Sequence, residues 1–274
     1  MCTLAIFRDV SERYPLVIAA NRDEFMGRPS LSPAPLAEDP GIVAGRDLRA
    51  GGTWFGCRVD GAFLAAGLLN RRTATQSGGA RNPSQSFPRR PPGVAAPVSR
   101  GALCLAALVH RSVGGALTEL RARRLEAFDP FNLLLVDRER GVVVDNRDGC
   151  HETELRSGLS VLTNLDVNDP RCPRLASAHS GFDRVAPVLV ADRDEPEIVE
   201  ALAEVLRDHA GSADASGADP FARVCVHAEG YGTRSSSIVL LRRDGAVAYF
   251  HVDEAPCRAP FRKVMPSVST EPRR

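Results

Sequence analysis

Four pairs of apolar runs, each pair separated by a polar turn, predict four β-hairpins along the chain. The pairs are 2–8 with 15–20, 53–59 with 62–69, 132–137 with 142–144, and the two halves of 236–250. The second and fourth pairs flank Asp60-Gly61 and Asp244-Gly245, and Asp-Gly between apolar runs is a strong hairpin signal. The hairpins predict a mostly antiparallel sheet architecture.

Apolar residues at helical spacing predict helices between the hairpins. The predicted helices span 101–112, 116–128, 171–185 and 195–210, and the last is the clearest. Strand pairs at both ends with helices between them predict an α+β fold, formed by the chain as a single domain over 1–274.

Two segments lack periodicity. Residues 27–40 are rich in proline and serine, so we expect that regular structure cannot continue there for long. Residues 71–100 hold six arginines, five prolines and no acidic residue, which predicts a mobile Arg/Pro-rich surface loop. The alternative for this segment is an ordered anion site near the mouth of a pocket, because arginine offers a planar fork of donors.

Composition narrows the classes of function. The chain has 274 residues, is 43% hydrophobic and carries a net charge of +1, which gives no electrostatic case for a nucleic-acid or membrane-surface partner. No apolar run is long enough for stable membrane insertion, and polar residues interrupt the N-terminal run too early for a signal peptide. The seven cysteines form no CxxC pair, which predicts a reduced, cytoplasmic protein with neither a disulfide framework nor a zinc site.

Cys2 follows the initiator methionine directly. A small side chain at this position allows an aminopeptidase to remove Met1, which would leave Cys2 with a thiol and a free α-amine. Their ordinary pKa values, ~8.5 and ~8, make a nucleophile and its own base within one residue. The alternative is that Cys2 is a small apolar start to a buried strand.

Polar residues near predicted strand ends could complete a site around Cys2. Asn21, Arg22, Asp23 and Glu24 follow the second strand, and the hairpin returns them to Cys2. An arginine there would favour the thiolate and a carboxylate would hold a protonated amine. The alternative is a solvated turn of charges.

Three further residues are candidates at the ends of apolar runs. Asn70 and Asn164 each follow such a run, and Arg234 leads into the run 238–241. An asparagine amide can donate to an oxyanion, although asparagines at strand ends commonly form turns.

Several stretches of the sequence resemble the NRDE family, the relatives of transport and Golgi organisation protein 2. They are MCTLAIF, ANRDEF, GRDLRAGGTWFG, GLLN, SRGALCLAAL, FDPFNLLL and YGTRSSSIVLL, in order from residue 1 to about 250. That family is similar to the N-terminal nucleophile hydrolases. The resemblance implies their four-layer αββα sandwich of two antiparallel sheets.

Within those hydrolases, the chain is most similar to bile salt hydrolases, penicillin V acylases and acid amidases. The resemblance implies that Cys2 attacks a small acyl amide and that Asn70 and Asn164 serve the oxyanion, with Arg234 beside the nucleophile. The acylases carry arginine and aspartate three residues apart, whereas Arg22 and Asp23 are adjacent here.

Adjacent residues of a regular strand face opposite sides, so Arg22 and Asp23 cannot both point at Cys2. Either a bulge turns one of them, or Asn21 and Glu24 take part instead. Trp54 and Phe55 would line an apolar acyl pocket, or be core residues only.

Family resemblance also implies a second function, a non-enzymatic carrier of haem or an acyl lipid on the same fold. In that hypothesis haem is a transported ligand and the protein has no resident cofactor. The sequence gives this carrier hypothesis little independent support, because the six histidines are scattered and no CxxCH haem-attachment site occurs. The dipeptide Cys172-Pro173 is the candidate haem contact.

Overall fold

The computed structural model describes residues 2–72, 99–147, 149–210, 219–264 and 268–269. Its strands are β1 (Cys2–Arg8), β2 (Leu16–Phe25), β3 (Ser30–Pro35), β4 (Ile42–Asp47), β5 (Phe55–Arg58), β6 (Leu64–Asn70), β7 (Phe131–Asp137), β8 (Gly141–Asp145), β9 (His151–Glu154), β10 (Gly158–Leu162), β11 (His227–Ala228), β12 (Tyr231–Leu241), β13 (Ala246–Val252), β14 (Arg262–Lys263) and β15 (Val268–Ser269). The helices are α1 (Gly101–Leu108), α2 (Val113–Arg121), α3 (Leu175–Asp183), α4 (Ala186–Val190) and α5 (Glu195–Leu206). Among the described residues, no helix has the length and apolar character needed to cross a membrane.

The strands pair antiparallel into two sheets. The first sheet has the order β10, β1, β2, β12, β13, β14, with β11 beside β12 and β15 beside β13. The second has the order β3 to β9 in sequence. All four predicted hairpins are present, as β1–β2, β5–β6, β7–β8 and β12–β13.

Side-chain alternation along the strands separates three cores. In β1, Leu4 and Ile6 pack between the two sheets, whereas Ala5 and Phe7 pack against the helices α3 and α5. Helices α1 and α2 cover the outer face of the second sheet. The resulting order is helices, sheet, sheet, helices, which confirms the expected α+β fold and its αββα sandwich.

One expectation about a strand end was wrong. The strand β2 continues through Phe25, so residues 21–24 lie inside it rather than in a turn after it. Residues 27–40 hold one short strand, β3, which lies at the edge of its sheet with an irregular register between Leu31 and Ala34. Proline is tolerated at such an edge because the missing N–H faces solvent.

The predicted mobile loop falls mostly on residues 73–98, which lie outside the described residues, while its two ends are described. At one end Arg71 donates to Asn132 Oδ1 at 2.8 Å and Asp166 Oδ1 at 2.7 Å. At the other end Arg100 donates to the Pro130 carbonyl at 2.9 Å. The first end is therefore held by β7 and by the segment after β10, and the second end by the residue just before β7.

The Gly-Gly-Thr-Trp stretch packs backbone against backbone at the start of α1. Gly51 has a φ of +73°, which favours glycine. A Cβ on Gly52 would lie 2.4 Å from the carbonyl carbon of Gly101. Thr53 N–H donates to the Gly101 carbonyl at 3.2 Å, so the close approach positions the loop that leads into Trp54.

We expect Gly52→Ala to lower the free energy of unfolding by about 1–3 kcal/mol, because neither backbone can yield without moving α1 or the loop. Gly27→Ala is the matched control, since a Cβ there meets nothing within 4 Å. Urea unfolding of both variants measures the difference. Equal stabilities for Gly52→Ala and Gly27→Ala would contradict this packing.

Candidate active site

Alternation along β2 divides the Asn-Arg-Asp-Glu motif between two faces of the first sheet. Leu16, Ile18 and Ala20 pack between the sheets, and Val17 and Ala19 pack against the helices. The alternation continues through the motif. Its even-numbered residues, Arg22 and Glu24, therefore share the inter-sheet side, and its odd-numbered residues, Asn21 and Asp23, share the helix side.

Cys2 lies on the inter-sheet side, directly opposite Arg22 in the β1–β2 register. It is half-buried and contacts the inter-sheet core. Burial raises the pKa of the Cys2 thiol above its ordinary value, and the charge of Arg22 acts in the opposite direction. Arg22 is the positively charged side chain that the register brings to the thiol.

Arg22 is fixed by an aromatic ring and a hydroxyl. Its guanidinium carbon lies 3.9 Å from the centre of the Trp54 ring, a cation–π geometry. It also donates to Ser30 Oγ at 3.2 Å. Burial lowers the pKa of Arg22, and the charge of Glu24 opposes that shift. The side chain therefore has one defined position beside Cys2.

A cavity of about 260 Å³ opens in front of Cys2. Its wall includes a thiol, an amide, two large apolar side chains and six charged ones: Cys2, Asn70, Trp54, Leu68, Arg22, Arg28, Arg100, Glu24, Asp47 and Asp129. Arg28 donates twice to Asp47, at 2.9 and 2.6 Å, and lies 3.8 Å from Glu24. These paired charges leave the wall close to neutral.

The two predicted oxyanion residues are coupled through one hydrogen bond. Asn70 lies on the cavity wall with Cys2. Asn164 is buried, and its side-chain amide donates to the Asn70 backbone carbonyl. The Asn164 carbonyl in turn accepts from Arg72 N–H at 2.8 Å. Asn164 thus holds the backbone of Asn70 and is not among the residues that line the cavity.

Asp23 faces away from Cys2 and forms a buried ion pair. Its carboxylate accepts from Arg174 at 2.7 Å and from Thr233 Oγ1 at 2.8 Å, and the Asp23 and Arg174 side chains are 0% and 1% exposed. Arg174 also donates to Thr3 Oγ1 at 3.1 Å. Burial lowers the pKa of Arg174, but Asp23 more than offsets this, so its net pKa shift is upward.

A bulge in β12 supplies the Thr233 contact. The register with β2 shifts between Thr233 and Ser235, so Arg234 is the extra residue. A bulge reverses the face of the residues before it, and this one turns Thr233 toward Asp23. The Arg234 guanidinium donates to the Asp253 carbonyl at 2.5 Å and does not line the cavity.

Asn21 connects the first sheet to the elements behind it. Its buried amide donates to the carbonyls of Leu206 at 2.9 Å and Val224 at 3.0 Å. Its side-chain oxygen accepts from Ser236 Oγ at 2.5 Å. All three hydrogen bonds lie on the helix side of the first sheet, so the Asn21 side chain faces away from the cavity.

The two aromatic candidates divide between cavity and core. Trp54 lines the cavity, whereas Phe55 is 2% exposed and packs edge to face against Tyr249 in the inter-sheet core. Phe55 borders only a small space of about 20 Å³ that Cys2 and Trp54 also line. The candidate haem contact, Cys172, packs against the core beneath α3 and α5 and is not on the cavity wall.

Sequence reasoning missed Arg174, which lies in a predicted helical region with no motif. Thr233 belongs to the stretch YGTRSSSIVLL, but its contact with the Asp23 carboxylate depends on the bulge and could not be predicted. A signal was present for Asp47, which lies in the family-like stretch GRDLRAGGTWFG. Its partner, Arg28, could not be identified from the sequence, because the chain has many arginines.

The family model described as Transport and Golgi organisation 2 matches residues 1–253. The chain belongs to the Transport and Golgi organisation 2 family. A homologue from Bos taurus is 27% identical over 264 residues, which is 88% of each chain. The Transport and Golgi organization protein 2 of Drosophila melanogaster is 36% identical over 75 residues, 25% of this chain and 26% of that protein.

Among solved structures, the chain is similar to the Caenorhabditis elegans N-acylethanolamine-hydrolyzing acid amidase ortholog. The TM-score is 0.44 at 12% sequence identity, and the match covers 88% of this chain and 92% of that one. Membership of the Transport and Golgi organisation 2 family confirms the resemblance predicted from the motifs around Cys2, residues 21–24 and Trp54.

We expect Arg174→Met to lower the free energy of unfolding by about 3–5 kcal/mol, because it leaves the Asp23 carboxylate buried without its counter-charge. Arg193→Met is the control, since Arg193 and its partner Glu197 are 59% and 57% exposed. That variant should change stability by less than about 1 kcal/mol. Denaturant titrations of both proteins provide the test, and similar losses in the two would contradict a buried-pair cost.

Proposed function

We propose that this chain is an N-terminal cysteine amidohydrolase that hydrolyses a small acyl amide through Cys2. The observation that supports this most is that Cys2, Arg22 and Asn70 share the wall of one cavity. A thiol, a fixed positive charge and an amide donor are the groups that thiol-based acyl transfer needs.

The reaction begins with the loss of Met1, which frees the α-amine of Cys2. The amine takes the thiol proton, and the thiolate attacks the amide carbonyl. The charge of Arg22 stabilises the thiolate against the cost of burial. The Asn70 amide, held in place through Asn164, donates to the oxyanion together with a backbone N–H.

The second half of the reaction releases both products and regenerates the free Cys2 thiol. The protonated amine of Cys2 gives its proton to the leaving nitrogen, the C–N bond breaks and an acyl thioester remains on Cys2. Water then adds to the thioester, with the amine again as base, and releases a carboxylic acid. The α-amine of Cys2 therefore accepts or donates the proton in every step of the reaction.

Cavity size and lining define the class of substrate. A volume of about 260 Å³ is just below the ~300–1,000 Å³ of drug-sized ligand sites, so the substrate is small. Trp54 and Leu68 provide an apolar wall for the acyl group. Arg100 and Asp129 are the charged residues of the wall that remain besides Arg22, Glu24 and the Arg28–Asp47 pair, and they suit a polar amine portion.

The first test is labelling of Cys2 by a thiol-reactive β-lactone. We expect the intact mass to show loss of Met1 and, after brief treatment at neutral pH, a single acyl adduct that maps to Cys2. Cys2→Ala should abolish the adduct, and Cys150→Ala should retain it, since Cys150 is another half-buried cysteine outside the cavity. A panel of N-acyl amides then identifies turnover.

Retained Met1 would contradict the proposed mechanism, because an acylated amine cannot serve as base. Labelling spread over Cys2, Cys150 and Cys172 at similar rates would also contradict it. In either case, haem and acyl-lipid titrations of the wild type and Cys172→Ala would test the carrier function instead.

A further inference from the structure

Two histidines and two cysteines meet on the helix side of the first sheet, away from the cavity. His209 follows the end of α5, Cys225 and His227 lie at β11, and Cys257 belongs to the turn after β13. One ligand atom from each of the four lies within 4.8 Å of every other. Cys225 is buried, and the other three side chains reach solvent.

Distances between these atoms match the edges of a tetrahedral metal site. The Cys225 and Cys257 sulfurs are 3.8 Å apart, and His227 Nε2 lies 3.6 and 3.2 Å from them. His227 Nε2 and His209 Nε2 are 3.1 Å apart. Zn–S bonds of ~2.3 Å and Zn–N bonds of ~2.0–2.1 Å predict edges of about 3.8 Å for S–S, 3.6 Å for N–S and 3.3 Å for N–N.

Hydrogen bonds already hold the three ligand-bearing segments together. Cys225 N–H donates to the Asp208 carbonyl at 2.9 Å, next to His209. Arg207 Nε donates to the Pro256 carbonyl at 3.1 Å, next to Cys257. The three segments that carry the ligands are therefore brought together by hydrogen bonds that do not depend on a metal ion.

We propose that His209, Cys225, His227 and Cys257 bind one Zn²⁺ as a structural site. A Cys₂His₂ set with tetrahedral spacing is typical of zinc, and four protein ligands leave no position for a substrate. Binding replaces the two thiol protons, which pass to solvent, and the two thiolates balance the charge of the ion.

This zinc site lies on the helix side of β2, the strand that carries the Asn-Arg-Asp-Glu motif, and stabilises its surroundings. The Asn21 amide binds the carbonyls of Leu206 and Val224, and these residues lie three positions before His209 and one before Cys225. Zinc would fasten the same two segments to each other and to the turn at Cys257. The site therefore stabilises the fold around Asn21 and takes no part in the reaction at Cys2.

Metal content and cobalt spectroscopy test the proposal. We expect protein purified from zinc-supplemented cells without chelator to hold one zinc per chain. Apo protein titrated with Co²⁺ should show the visible bands of a tetrahedral thiolate site. Cys257→Ser and His209→Gln change solvent-reaching ligands, so the variants should fold, and each should weaken zinc binding by more than about 100-fold.

Cys150→Ser is the matched control, since Cys150 lies outside the cluster, and it should keep the wild-type zinc content. Chelation should lower the thermal midpoint of the wild type and of Cys150→Ser but not that of Cys257→Ser. The proposal is overturned by zinc content near zero with no cobalt bands, by bands that persist in a Cys257→Ser/His209→Gln double variant, or by a Cys225–Cys257 disulfide in protein purified with reductant.

Discussion

Strand β2 is buried on both faces, and this constraint determines the rest of the site. The strand lies between β1 and β12 in the middle of the first sheet, so each of its side chains must enter either the inter-sheet core or the helix-side core. Four consecutive polar residues in such a strand need partners on both faces. Arg22 finds Trp54 and Cys2 on one face, and Asp23 finds Arg174 on the other.

The Asp23–Arg174 pair has consequences beyond its own energy. Taking two charges out of water costs several kcal/mol each, and the mutual attraction offsets this only with good geometry and further hydrogen bonds. Thr233 and Thr3 supply those hydrogen bonds. The pair therefore fixes β1, β2, β12 and the start of α3 relative to one another, and Cys2 stands one residue from Thr3.

Much of the fold follows from sequence because it depends on local patterns. The Asp-Gly turns and apolar runs predicted all four hairpins, and the period-two rule predicted that Arg22 and Asp23 face opposite sides. The end of β2 could not be predicted, because four polar residues look like a turn unless their buried partners are known. Strand β3 was missed because two prolines are compatible with a strand only at a sheet edge.

The candidate site was predictable in part for the same reason. Cys2 and Arg22 are close because the β1–β2 register pairs them, and Trp54 and Asn70 reach the same cavity from the second sheet, whereas Asn164 and Arg234 are not on its wall. The Cys₂His₂ cluster carries no sequence signal, since its ligands come from three segments with one Cys-x-His spacing and no CxxC pair. Only the tertiary fold brings His209 and Cys257 to that spacing.

One pair of variants tests the division of the motif most directly. Arg22→Met and Asp23→Asn change neighbouring residues, and each is measured for the rate of iodoacetamide alkylation at Cys2 and for the free energy of unfolding. We expect Arg22→Met to slow alkylation near pH 7, because the charge of Arg22 lowers the thiol pKa, with a stability loss of no more than about 1.5 kcal/mol. Asp23→Asn should cost about 3–5 kcal/mol of stability but should not slow alkylation of the folded protein, because the Asp23 charge raises the thiol pKa.

The opposite result, with slow alkylation in Asp23→Asn and an unchanged rate in Arg22→Met, would contradict the account. It would mean that the Asp23 face of β2, rather than the Arg22 face, sets the reactivity of Cys2.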